Sequence, residues 1–137
     1  MQIAWLKFSS NFYLKIKEAK ENISDLWSTL FLRVELIILM VGLALNWLLA
    51  LIIKTNLKQE LAALHYNIIF GIDLLGSPTE IYLLPLASTL MSLFNLVLIL
   101  FFHRQDKFLS KLLLATSLVI NGFIILAVYS IYLINFR

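Results

Sequence analysis

Three charge-free runs constrain this chain more than any other feature: Leu36 to Ile53 (18 residues), Ile81 to Phe102 (22) and Leu112 to Phe136 (25). A helix rises about 1.5 Å per residue, so about 20 residues cross a hydrocarbon core of about 30 Å. Inside lipid no water bonds the backbone, so each run must be helical. The composition points the same way. Of 137 residues, 61% are hydrophobic and 14% charged, and the mean hydropathy is +0.92. A soluble domain of this size cannot bury that much apolar surface. The sequence therefore predicts an all-α integral membrane protein with the lipid bilayer as its first partner. Its three transmembrane helices are expected near 33–54, 80–102 and 109–134, within a membrane domain covering 33–137. The first run begins well inside the chain and no A-x-A pattern follows it, so no removable signal peptide is expected.

Orientation follows from lysine and arginine placement. Lys7, Lys15, Lys17, Lys20 and Arg33 precede the first span, and Arg104, Lys107 and Lys111 lie between the second and third. These are eight of the eleven basic residues; Lys54, Lys58 and Arg137 fall on the other side. The expected topology has a cytoplasmic N-terminus, an external loop at 55–79 and an external C-terminus. The loop forms a small subdomain between the first two spans.

Residues 1–32 are patterned but do not form a span. Trp5, Phe8, Phe12, Ile16, Ala19, Ile23, Leu26 and Leu30 make one helical stripe, with most of the lysines off it. Two readings stand: a helix lying flat at the cytoplasmic interface with lysines toward anionic headgroups, or a helix packing on a partner or second copy. The bulky Trp5, Phe8 and Phe12 favour the interface, so an amphipathic interfacial helix is expected there.

Each span carries one asparagine: Asn46, Asn95 and Asn121. Each follows a small or hydroxyl residue by about one turn: Gly42, Ser92 and Ser117. Polar side chains at this depth pack between helices or line a polar path. No acid or histidine stands in mid-span, which favours packing, with Asn121 as the bridge between the other two. Glu35 is expected to pair with Arg104 or Lys111 at the cytoplasmic end, and Pro85 to kink the second span.

A histidine, an asparagine, an aspartate, two glycines, a proline and a glutamate gather in the loop stretch 64–80. Ser77-Pro78-Thr79-Glu80 carries the spacing of a helix start with a capping box. Residues 55–64 read as a short helix with Leu57, Leu61 and Leu64 on one side. The following segment, broken at Gly71, reads as extended chain or a small hairpin lying on the external membrane face. His65, Tyr66, Asn67 and Asp73 are the candidate recognition residues. His65, Asp73 and Glu60 or Glu80 have suitable types for a metal or acid–base site, but their spacing matches no ligand pattern, and no metal is expected. No catalytic, cofactor-binding or nucleic-acid motif is present, and cysteine is absent, so neither an enzyme nor a cofactor is expected.

The series His65-Tyr66-Asn67, Gly71, Asp73 and Gly76-Ser77, followed directly by a span, resembles a domain of unknown function in bacterial multi-spanning membrane proteins. That domain also occurs in a multi-spanning immunity protein against a secreted killing toxin. The likeness covers roughly residues 36–100. Ala62 and Ala63 stand where the family has proline, and the glycine is displaced by one residue. The resemblance implies a bacterial inner membrane and this loop topology, and carries no activity. Three functions follow as expectations. The first is a non-catalytic component that assembles with itself, as a homo-oligomer, or with a larger membrane complex. The second is a toxin-immunity or envelope-sensing protein acting through the loop, and the third a transporter subunit.

Overall fold

The computed structural model describes residues 13, 14, 16, 17, 20, 21, 23–25 and 27–136. Three long helices carry the fold: α1 (Leu30–Asn56), α2 (Leu83–Phe102) and α3 (Lys107–Phe136). All three are long and apolar enough to cross a membrane, α2 together with the short 3-10 helix Pro78–Tyr82 that leads into it. The described residues between 13 and 28 also have helical backbone. The Trp5, Phe8, Phe12, Ala19 and Leu26 part of the stripe lies outside the described residues. Ile16, Ile23 and Leu30 are each more than half exposed, so the bundle itself does not cover them.

The helices pack through faces that recur every three and four residues. In α1 the buried series is Leu32, Leu39, Gly42, Asn46, Ala50 and Ile53. In the 3-10 helix and α2 it is Ile81, Pro85, Ser88, Ser92 and Ile99. In α3 it is Ser110, Leu114, Ser117, Asn121, Val128 and Ile131. This average period of 3.5 keeps one seam of each helix toward its neighbours. Small residues (Gly42, Ala50, Ser88, Ser92, Ser110 and Ser117) are interspersed with large ones along the seam and permit close helix approach in an apolar medium. The core is layered along the bundle. One apolar cluster joins Ala50, Ile53, Ala62, Ile81, Val128 and Ile131, and another joins Leu32, Leu39, Ile99 and Leu114. Polar side chains occupy the layer between them.

The loop between α1 and α2 departs from an all-α chain. It folds into a two-stranded antiparallel hairpin, β1 (Ala62–Asn67) and β2 (Gly71–Gly76). The helix expected over 55–64 is not formed, because α1 ends at Asn56. Thr55 Oγ1 donates to the Leu51 carbonyl at 2.9 Å and Asn56 Nδ2 to the Ile52 carbonyl at 2.8 Å. The N–H of Leu57 still bonds the Ile53 carbonyl at 3.0 Å, and the backbone turns extended at Leu57 (φ −73°, ψ 114°), which ends the helix. Ala62 and Ala63 join β1, and Ala63 is gripped by α3. Its N–H donates to Asn135 Oδ1 at 3.0 Å and its carbonyl accepts from Asn135 Nδ2 at 2.8 Å. The stripe Leu57, Leu61, Leu64 fits a helix by spacing, but this bidentate bond fixes the chain as extended.

The hairpin turn has a local cause. Asn67 Oδ1 accepts the N–H of Ile69 at 2.8 Å, and Gly71 takes φ +74°, open to glycine at no steric cost. Strand pairing is irregular between Ala63 and Tyr66, and Leu64 and Asp73 face no direct partner. At the other end of the loop the capping box forms as its spacing suggests, with Ser77 N–H donating to Glu80 Oε1 at 3.1 Å. Pro85 lies in the first turn of α2, just past the change from 3-10 to α geometry. Its missing N–H therefore falls at a handover between helix types and not in mid-helix.

Candidate functional site

Two places concentrate polar chemistry: the middle layer of the bundle and the hairpin. In the middle layer Asn121 is the hub. Asn46 Nδ2 donates to Asn121 Oδ1, and Ser88 Oγ approaches the same oxygen at 3.4 Å. Asn121 Nδ2 donates to the Leu39 carbonyl at 3.3 Å. Asn46, Ser88 and Asn121 are all buried, so one residue from each helix meets at one level. Gly42 makes this meeting possible, since a Cβ there would occupy the space of the Asn121 amide.

Asn95 does not reach Asn121. Its Nδ2 donates to Ser117 Oγ at 3.0 Å and to the Leu113 carbonyl at 3.3 Å. The reason is axial level. Asn95 lies two turns from Ser88 along α2, about 10 Å, and so faces α3 one turn away from Asn121. The polar layer is thus two rungs, Asn46–Asn121–Ser88 and Asn95–Ser117. Ser92 Oγ and Asn46 Oδ1, both buried, have no hydrogen-bond partner among the described residues.

On the hairpin, His65 Nδ1 and Asp73 Oδ1 are 2.6 Å apart and both side chains are exposed. Asp73 reaches His65 because it sits at the irregularity in strand pairing. Tyr66 lies across from Ile72 and is half exposed. Asn67 is committed to the turn. Glu80 is held by the backbone of Ser77, so it does not join His65 and Asp73. Among the described residues no three His, Cys, Asp or Glu side chains come together. The hairpin pair orients an imidazole beside a carboxylate, and among the described residues no third His, Cys, Asp or Glu joins it.

Sequence reasoning missed a cluster at the opposite end of the bundle. Glu21 pairs with Arg104 at 2.8 Å, and Asp25 lies 3.6 Å from Lys107 and 3.2 Å from Nε2 of His103. The His103 contact has ion-pair distance without hydrogen-bond alignment, and the ring is buried. These contacts tie the N-terminal helical segment to the α2–α3 turn, where Asp106 Oδ1 also accepts the N–H of Leu109 at the start of α3. They remove one of the two partners expected for Glu35. Arg104 is taken by Glu21, and Lys111, whose Nζ lies 5.8 Å over the Phe31 ring, stays near enough for its charge to act on Glu35; among the described residues Glu35 Oε2 has no hydrogen-bond partner. Glu21 and Arg104 are both substantially exposed, so Glu21→Gln is expected to change thermal stability by less than about 1 kcal/mol. Thermal unfolding of the purified variant checks this.

The Asn135 clamp was also missed. Its signal was present, since Asn121, Val128 and Asn135 follow one another at seven-residue spacing on the packed face of α3.

No family model, curated protein or solved structure matches the chain. The fold and its polar layer define a small helical protein whose three helices are long and apolar enough to cross a membrane.

Proposed function

We propose that this chain is a non-catalytic three-span protein of the bacterial inner membrane that works as an assembling or accessory component. The N-terminus is cytoplasmic, and the hairpin and C-terminus are external. The observation that carries the reading is the division of the helix surfaces. Asn46, Ser88, Ser92 and Asn121 are turned into the bundle, while Ile38, Met40, Leu48, Leu90, Phe94, Val119, Phe123 and Leu126 stand outward and exposed. An outer surface of this kind suits lipid and other apolar helices and presents no polar lateral path. The bacterial assignment rests on the likeness of the hairpin sequence, and the orientation on the charge asymmetry.

The exposed stripe of the N-terminal segment supports the same reading. Tyr13, Ile16, Ile23 and Trp27 are each more than half exposed and need cover from lipid or from a second chain. A particle-mass measurement in lipid nanodiscs tests assembly. The proposal expects a mass of at least two copies, or a membrane protein that co-purifies at fixed stoichiometry. A lone monomer with no co-purifying chain would contradict it.

A second reading is favoured by the exposed His65–Asp73 pair: recognition of a toxin or envelope component through the hairpin. Loss of protection on His65→Ala, with insertion and stability unchanged, would support it.

A further inference from the structure

We infer that the hairpin tip, Ile68-Ile69-Phe70, inserts into the interfacial layer of the bilayer, anchoring the hairpin against the membrane surface. This rests on the reading that α1, α2 and α3 cross a bilayer.

The first support is the level at which the hairpin leaves the bundle. Its root is fixed at Ala63 by Asn135, in the last turn of α3. The tryptophan and tyrosines of the three long helices and the 3-10 helix, Trp47, Tyr82, Tyr129 and Tyr132, lie toward this same end. Trp47 and Tyr82 stack at 6.1 Å between ring centroids, and Tyr132 lies 6.3 Å from Tyr129 and 5.1 Å from Phe136. Such rings mark the headgroup level of a spanning protein. The hairpin therefore starts at the interface. Six strand residues reach about 20 Å from the root, so the tip can lie well outside the footprint of the bundle.

The second support is the chemistry of the tip. Ile68 is 92% exposed, Ile69 81% and Phe70 77%. A water-facing turn is ordinarily built from Gly, Asn, Asp, Ser or Pro. Here those types appear only at the positions that shape the turn, Asn67 and Gly71, and the three residues between them are bulky and apolar. The Asn67 bond to Ile69 and the left-handed Gly71 hold the turn in shape, so its side chains are presented outward and do not collapse onto the strands.

The third support distinguishes lipid from a protein partner. Leu74 and Leu75 are neighbours in β2, so they point to opposite faces, and both are more than half exposed. A single docked partner covers one face; an immersing medium covers both. Between Leu61 and Gly76 the only acidic or basic side chains are His65 and Asp73, and they pair with each other. No charged rim surrounds the apolar surface, as a specific protein interface would ordinarily have. The pairing also lowers the cost of carrying a carboxylate near hydrocarbon.

The cysteine-free chain permits a direct test. Full-length Ile69→Cys, Gln59→Cys and Leu48→Cys proteins are each labelled with an environment-sensitive fluorophore and reconstituted into phosphatidylcholine vesicles. The label at position 69 is expected to shift to the blue, to be quenched by lipids with a nitroxide near the headgroup, and to lose quenching by aqueous iodide. Position 59 should show the reverse, and position 48 should be quenched by nitroxide deeper in the acyl chains. If position 69 behaves like position 59 while position 48 lies in lipid, the tip is in water; the inference fails and the spans stand. If position 69 is shielded from both iodide and lipid nitroxide, the tip is covered by protein and the inference fails. If position 48 is open to iodide, the spans themselves are wrong and the inference falls with them. Ile69 is exposed, so its replacement does not threaten the fold, and Phe70→Cys repeats the measurement at a second site.

Discussion

Gly42→Leu is expected to be the most damaging single change in the bundle. A side chain at this position must displace the Asn121 amide, which sits where its Cβ would be. Overpacking of this kind costs roughly 1–3 kcal/mol. The displaced amide also takes from buried Asn46 its side-chain acceptor and leaves only the long 3.4 Å bond to the Asn121 backbone carbonyl, a further cost of about 1–3 kcal/mol. Domains have only about 5–15 kcal/mol in total, so thermal unfolding in detergent should fall sharply. The cause can be isolated with a cycle of smaller changes. Gly42→Ala and Asn121→Ala both act on one contact, so the double variant should lose less than the sum of the two single variants. Additive losses would show that Gly42 and Asn121 do not share that space.

Asn135→Leu is expected to release the hairpin while leaving the bundle formed. The substitution removes both partners of Ala63, whose N–H and carbonyl are buried against α3. Leaving a buried backbone group unpaired costs about 1–3 kcal/mol. The damage should be local. Amide hydrogen exchange should speed up across β1 and β2, while α1 and α3 keep their protection around Asn46 and Asn121. Unchanged exchange in the hairpin would mean that Leu64, Leu74 and Ile81 hold it without the clamp. Asn135→Gln, which keeps the amide but shifts it by one methylene, should give an intermediate effect.

These two residues show what the sequence made legible and what it did not. The spans were readable from length and absence of charge. The inward faces were readable too, since Asn46, Asn95 and Asn121 were marked by polarity and by the small residues a turn away. The capping box at Ser77 and the glycine-broken strand pattern announced the turn chemistry of the loop. What failed was long-range. The stripe of Leu57, Leu61 and Leu64 is a sound local argument for a helix, and it lost to a contact 72 residues away between Ala63 and Asn135. Glu35 looked like the natural partner of Arg104 until Glu21 reached it from an earlier segment. Asn121 was expected to bridge both other asparagines, and only the axial offset of antiparallel helices assigns Asn95 to Ser117. Periodicity reports which face is buried; it does not report which residue of another element stands opposite.

The loop chemistry has the same limit. His65 and Asp73 were named as polar groups that could specify a contact, and they meet each other at 2.6 Å. Asn67, named beside them, is used by the turn. The hairpin therefore leaves little free polar chemistry at its tip, where Ile68, Ile69 and Phe70 are the most prominent groups.

In the proposed topology three helices cross a bilayer with the hairpin outside and the N-terminus inside. Single-cysteine accessibility in intact cells tests it most directly. Ser24, Gln59 and Gln105 are exposed, so a cysteine at each leaves the packed core intact. With a membrane-impermeant thiol reagent, Gln59→Cys should label in intact cells, while Ser24→Cys and Gln105→Cys should label only after permeabilisation. Labelling of Ser24→Cys and Gln105→Cys with protection of Gln59→Cys would reverse the orientation. Labelling Gln59→Cys and Gln105→Cys from the same side would contradict the three-span account itself.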